Sequence, residues 1–154
     1  MSAYLDVAAF RVRTEMPDGD VDLLESRFPG FLLARLREES AWINGRLFKR
    51  YAVPFQAPVP EIVLGWLTKL VTPSAYRKRG WNPTSEQDQQ ILDAEKTARE
   101  EIKEAAKSDD GLFELPMRED RPDVSAVSVG GPLGYSESDP YTWTDRQAEN
   151  SRRG

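Results

Sequence analysis

FLLARLREESAWINGRLFKRYAVPF, residues 31–55, is the stretch on which the fold turns. Leu36, Ile43 and Leu47 recur at the spacing that aligns side chains on one helical face, and no proline interrupts them before Pro54. Arg35, Glu38, Glu39, Arg46 and Lys49 fall mostly on the other faces, and Trp42 flanks the apolar stripe. A helix is therefore expected from Phe31 to Tyr51. It must end by Pro54, because a residue before proline is driven out of the α region.

Towards the N-terminus, Tyr4 to Arg13 carries Leu5, Val7 and Phe10, and Pro17-Asp18-Gly19 reads as a turn. Asp20 then caps a short helix, Val21 to Phe28, that stops at Pro29-Gly30. In the other direction, Pro54, Pro58 and Pro60 stiffen an extended connection. Glu61 to Leu70 resumes helical spacing through Ile62, Trp66 and Leu70, up to a kink or break at Pro73 and a stop at Gly80. Thr84 and Gln87 stand at capping-box spacing before a long helix, Glu86 to Lys107, whose apolar side (Ile91, Ala94, Ala98, Ile102, Ala105) is thin. Asp110-Gly111 closes it. The composition changes from Glu114 onward, with Pro116, Pro122, Pro132 and Pro140 recurring and Val127-Ser128-Val129 as the one short-strand candidate. The expected architecture is all-α: a small helical bundle over 1–113, followed by an extended Pro/Gly-rich C-terminal arm over 114–154.

Composition narrows the chemistry. The 154 residues include no cysteine and no histidine, which removes disulfides, thiolate nucleophiles, imidazole ligands and His-dependent triads. No phosphate-cradling glycine loop is present, and no pair of carboxylates stands out at a catalytic spacing. Neither catalytic residues nor a cofactor or metal site is expected. Twenty-six acidic residues against 21 basic give a net charge of −5, which disfavours wrapping by nucleic acid. No signal-peptide pattern or bilayer-length apolar run is evident, so no membrane association is expected.

Two clusters invite a functional reading. Arg77, Lys78 and Arg79, followed by Trp81, interleave cations with an aromatic, as does Lys49-Arg50-Tyr51. The plainer reading is a solvated helix end whose cations suit the C-terminal dipole. In the arm, Leu133, Tyr135, Tyr141 and Trp143 have the character of anchors that dock on a partner, against the plainer reading of incidental aromatics in a flexible tail.

The run Ser40 to Pro54 resembles a motif of tailed-bacteriophage head–tail connector (adaptor) proteins of the Mu-like kind, Ser-Ala-x-Ile-Asp-x-x-Leu-x-x-Arg-Tyr-x-x-Pro. Ser40, Ala41, Ile43, Leu47, Arg50, Tyr51 and Pro54 match it. Asn44 stands where the family has Asp, and Trp42 and Phe48 are bulkier than usual; the likeness spans residues 4–116. The resemblance implies a structural, non-enzymatic virion protein. Copies would form a ring, a dodecamer in the family pattern, beneath the portal protein and extend the DNA channel towards a lower neck or tail protein. The arm would dock on the portal, and DNA would pass without sequence-specific binding. The protein would occupy the head–tail interface of the virion, and the host cytoplasm before assembly. The reading from another class is a small helical DNA-binding regulator that uses Lys49 and Arg77.

Overall fold

A computed structural model describes residues 2–81, 84–107, 111–112 and 114–119. Five helices are present among them: α1 (Val7–Arg13), α2 (Asp18–Arg27), α3 (Phe31–Leu47), α4 (Glu61–Arg79) and α5 (Glu86–Lys107). No described residue forms a regular strand; the only β feature among them is an isolated antiparallel bridge between Tyr51 and Met117. The all-α architecture is as the periodicity implies. The strand candidate at 127–129, the anchors Leu133, Tyr135, Tyr141 and Trp143, and the stop at Asp110 lie outside the described residues.

Helices α3, α4 and α5 pack on one another, while α1 lies against α4, and α2 against both α3 and α4. Arg35 reaches Ser74 and Arg77 reaches Glu95 at one end of the trio, whereas Trp66 reaches Glu101 and Tyr51 reaches Ala105 towards the other. Those pairings make α4 antiparallel to both α3 and α5. Helix α4 is the central element, with Val63, Leu64, Trp66, Leu67, Leu70, Val71 and Ala75 all buried. That burial explains why α4 continues through Pro73. Each large apolar side chain withdrawn from water contributes about 1.5–3 kcal/mol, and together they outweigh the roughly 3 kcal/mol a mid-helix proline costs. The Thr72 hydroxyl also donates to the Thr68 carbonyl at 2.8 Å, one turn back.

Several boundaries differ from the sequence reading, each for a local reason. Helix α2 begins at Asp18, so Pro17-Asp18-Gly19 is its entry and Asp20 sits in the first turn, where it receives Arg79 at 2.6 Å. Proline at the N-cap and two acids in the first turn favour this earlier start. Helix α3 ends at Leu47 instead of running to Tyr51: the Arg50 N–H tightens to an i→i−3 bond on the Leu47 carbonyl at 3.0 Å, and the Arg50 carbonyl and Ala52 N–H are taken by the Arg118 N–H and the Pro116 carbonyl. Its N-terminus is fixed by Gly30 at φ +77°, a left-handed conformation that favours glycine. Gly80, at φ +100°, closes α4 as expected, with the Trp81 N–H bonded to the Tyr76 carbonyl at 3.0 Å. The packed unit extends to Glu119, past the composition break at 114, because Leu115 inserts into the core.

The capping box of α5 is one residue later than the Thr84–Gln87 pairing. Ser85 Oγ accepts the Asp88 N–H at 3.2 Å, and Asp88 Oδ2 accepts the N–H groups of Ser85 at 3.0 Å and Thr84 at 3.1 Å. The Trp81 indole donates to the same carboxylate at 2.8 Å. These donors favour the ionised form, and the bonds to Ser85 lead in holding Asp88 at about 2, below its ordinary 3.8. A depressed native pKa means that Asp88 contributes stability above pH 3.8 and loses it as pH falls through about 2. Acid titration followed by helical circular dichroism is therefore expected to show a transition between about pH 4 and 2 that is smaller in Asp88→Ala. Superimposable wild-type and variant curves would contradict this.

Candidate functional site

The residues shared with the connector motif build an interior junction. Ile43 and Leu47 face the core from α3 with no exposed surface, as does Tyr51, and Arg50 is buried beside them; Pro54 is exposed. The Tyr51 hydroxyl donates to the Ala105 carbonyl at 3.0 Å and accepts the Leu112 N–H at 2.9 Å. It thereby ties the end of α3 to the last turns of α5 and to the chain that follows. Gly111 makes the turn between them at φ +68°, and a Cβ there would lie 3.2 Å from the Tyr51 hydroxyl oxygen. The chain then runs antiparallel to residues 50–52, with the Ala52 N–H on the Pro116 carbonyl at 2.8 Å and the Arg118 N–H on the Arg50 carbonyl at 3.0 Å. The Arg118 guanidinium adds a bond to the Phe48 carbonyl at 2.9 Å. The described residues of 111–119 are thus fastened to the body at the Arg-Tyr step.

Ser40 and Asn44 fasten the N-terminal segment in the same manner. Ser40 Oγ accepts the Tyr4 N–H at 3.2 Å and donates to the Leu36 carbonyl at 2.7 Å. The Tyr4 hydroxyl donates to Asn44 Oδ1 and accepts the Phe55 N–H at 3.0 Å. Burial raises the Tyr4 pKa above its ordinary value. The Ser-Ala-x-Ile-Asn-x-x-Leu-x-x-Arg-Tyr pattern therefore places its polar members on the two segments that flank α3. Sequence spacing shows the apolar stripe but not these long-range bonds.

The cations of the predicted basic patch are engaged within the fold. Arg77 pairs with Glu95 at 2.9 Å, Arg79 pairs with Asp20, and the Lys78 ammonium lies 4.2 Å from the Phe28 ring centroid and 5.5 Å from that of Phe31. Glu95 also holds Arg99 at 2.9 Å, which reaches Glu39 at 3.7 Å. Glu39, assigned by spacing to a solvent face, is buried at 5% exposure. It is accommodated there because Arg35, one turn earlier, meets it at 2.9 Å and Arg99 approaches from α5. Its pKa is raised, since desolvation outweighs the attraction of Arg99 and Arg35. Trp42 takes the remaining face of this seam, with the Arg99 guanidinium 4.9 Å and that of Arg46 5.2 Å from its ring centroid.

Two surface grooves lie among the described residues. One of about 250 Å³ lies among Arg13, Glu15, Gly65, Thr68, Ile91 and Ala94. The other, about 200 Å³, lies among Ile62, Trp66, Glu101, Glu104, Ala105 and Leu112. Among the described residues no group of acidic side chains is arranged to hold a metal ion, and no helix is long and apolar enough to cross a membrane.

Replacing Tyr51 by Phe removes one hydroxyl and leaves the Ala105 carbonyl and the Leu112 N–H without it. Orphaning buried backbone groups costs about 1–3 kcal/mol each, so a loss of at least ~1 kcal/mol is expected in urea unfolding of Tyr51→Phe. A variant within ~0.3 kcal/mol of wild type would show that the junction carries no stability, against the ~1 kcal/mol typical of a lost hydrogen bond.

No family model, curated protein or solved structure matches the chain.

Proposed function

We propose that this chain is a structural head–tail connector of a tailed bacteriophage. In this reading copies form a ring beneath the portal protein, extend the DNA channel and join the capsid to a lower neck or tail protein, with the C-terminal arm docking on the portal. The protein works in the virion neck after assembly from the host cytoplasm.

The observation that supports this most is the junction at Arg50 and Tyr51. Of the residues that carry the resemblance, Tyr51 through its hydroxyl and Arg50 through its backbone carbonyl hold the described residues of 111–119 on the packed body, where the proposed arm would be rooted. A docking arm needs such a root. Its pull on a partner would otherwise peel the last helix, and segments that order on binding already lose affinity to that ordering. The internal pairing of Arg77, Lys78 and Arg79 lends less support to the DNA-binding regulator, which needs those cations for phosphates.

Mixing the purified protein with portal rings and imaging the mixture tests the proposal. Extra density at the lower end of the portal is expected for the full chain. A truncation after Glu119 should keep its helical spectrum and lose portal attachment. Bare portal rings with the full chain would overturn the connector reading, and attachment by the truncated chain would overturn the docking role of the arm.

A further inference from the structure

Helix α5 is held differently along its two halves. From Ala98 onward it enters the core, where Ala98 and Ile102 have no exposed surface and Ala105 almost none. The same half receives the Tyr51 hydroxyl on the Ala105 carbonyl and the Trp66 indole on Glu101. From Glu86 to Thr97 no residue is buried. Ile91, Leu92 and Ala94 are only half-buried there, and Ile91 and Ala94 line the groove of about 250 Å³ that Gly65, Thr68 and Thr72 border from α4. A Cβ placed on Gly65 would meet nothing within 4 Å, so α4 does not close on α5 at that point. Apolar atoms that face such a gap forfeit the contacts that would hold them.

Polar contacts hold the first half at two points. Asp88 accepts the Trp81 indole N–H at 2.8 Å, and the Trp81 ring rests on Tyr76 of α4 with 5.2 Å between centroids. Glu95 receives Arg77 from α4 at 2.9 Å, but the Arg77 side chain is 55% exposed, and an ion pair so open to water contributes little. The remaining partner of Glu95, Arg99, is on α5 itself and ties the helix to nothing else through that bond.

We infer that residues 86–97 are a strap across α4 that opens as one unit, up to Ala98, while 98–107 stay packed. Detachment and unwinding go together, because isolated helices shorter than about 12–15 residues are marginal in water. Cooperative local opening of this kind is expected where a segment has few buried apolar contacts. It uncovers the side of α4 that carries Gly65, Thr68 and Thr72 and leaves the seam of α3, α4 and the second half of α5 shut. The strap belongs to the body itself and is independent of the connector reading.

Residue-resolved hydrogen exchange of the full-length protein under native conditions tests this. In an α-helix each N–H donates four residues back, so the amides of 91–101 depend on carbonyls of the strap and those of 102–106 on carbonyls from Ala98 onward. The amides of 91–101 are expected to share one protection factor. It should lie about ten- to a hundredfold below that of 102–106, the scale of the one fully buried isoleucine that only the second half has. Glu95→Gln removes the charge that Arg77 meets and should lower protection of 91–101 a further three- to fivefold, about the scale of one such ion pair, with 102–106 unchanged. Ordinary fraying from the helix end gives protection that climbs residue by residue with no step between 101 and 102, and that profile would overturn the inference. So would equal protection in the two sets, or a Glu95→Gln effect that falls equally on both.

Discussion

One phenolic oxygen joins pieces of this body that lie far apart in sequence. A tyrosine hydroxyl can donate once and accept, and Tyr51 does both, towards Ala105 and Leu112, more than fifty residues away along the chain. Because both partners are backbone groups, the contact fixes the path of the main chain where α5 ends. Gly111 turns there with a left-handed φ and no Cβ, and the turn delivers Leu115 to the core and Met117 to its bridge with Tyr51. Leu115 in the core, the two backbone bonds to residues 50 and 52 and the Arg118 bond to the Phe48 carbonyl continue the same path.

The junction matters because α5 has little hydrophobic hold of its own. It buries only Ala98, Ile102 and Ala105, and alanines contribute little area at about 25 cal/mol per Å². Polar ties replace the missing area: Trp66 to Glu101 and Arg77 to Glu95 on the α4 side, and Arg99 to Glu39 and Tyr51 to Ala105 on the α3 side. Exposed ion pairs are worth at most ~1 kcal/mol, so Arg11–Asp22 and Arg13–Glu61 add little. Glu39 is different in kind. Once buried, it needs a counter-charge, and Arg35 and Arg99 both supply one; only with both removed would its charge stand uncompensated inside the seam. Such a pair gives geometric registration between α3 and α5 even where its net stabilisation is small.

The parts of this arrangement legible in the sequence are those set by local rules. Apolar spacing locates α3, α4 and α5, and Gly80 marks the end of α4, because each signal acts within one or two turns. The end of α3 is not legible, because Pro116 and Arg118, far along the chain, take up the backbone groups of Ala52 and Arg50. Nor is the burial of Glu39, whose second counter-charge, Arg99, lies on another helix. The cap of α5 falls one residue from its expected place, since Thr84 and Ser85 are both competent caps and the Trp81 indole settles Asp88 as the acceptor. The resemblance motif is visible as a string, but its polar members work at separations of 36 to 61 residues, beyond any periodicity.

The same pairing changes how the net charge bears on function. A surplus of acid over base says nothing about field direction while cations and anions can lie on different faces. Here Arg77, Arg79, Arg35 and Arg99 stand within ion-pair distance of carboxylates, and Lys78 sits over aromatic rings. Each of these cations therefore has a partner within the fold where the sequence shows a basic run. For a part whose proposed work is contact with proteins and passage of DNA, cancelling the cations internally serves better than omitting them. They link α4 to α5 and to α2 while they balance carboxylates on those helices.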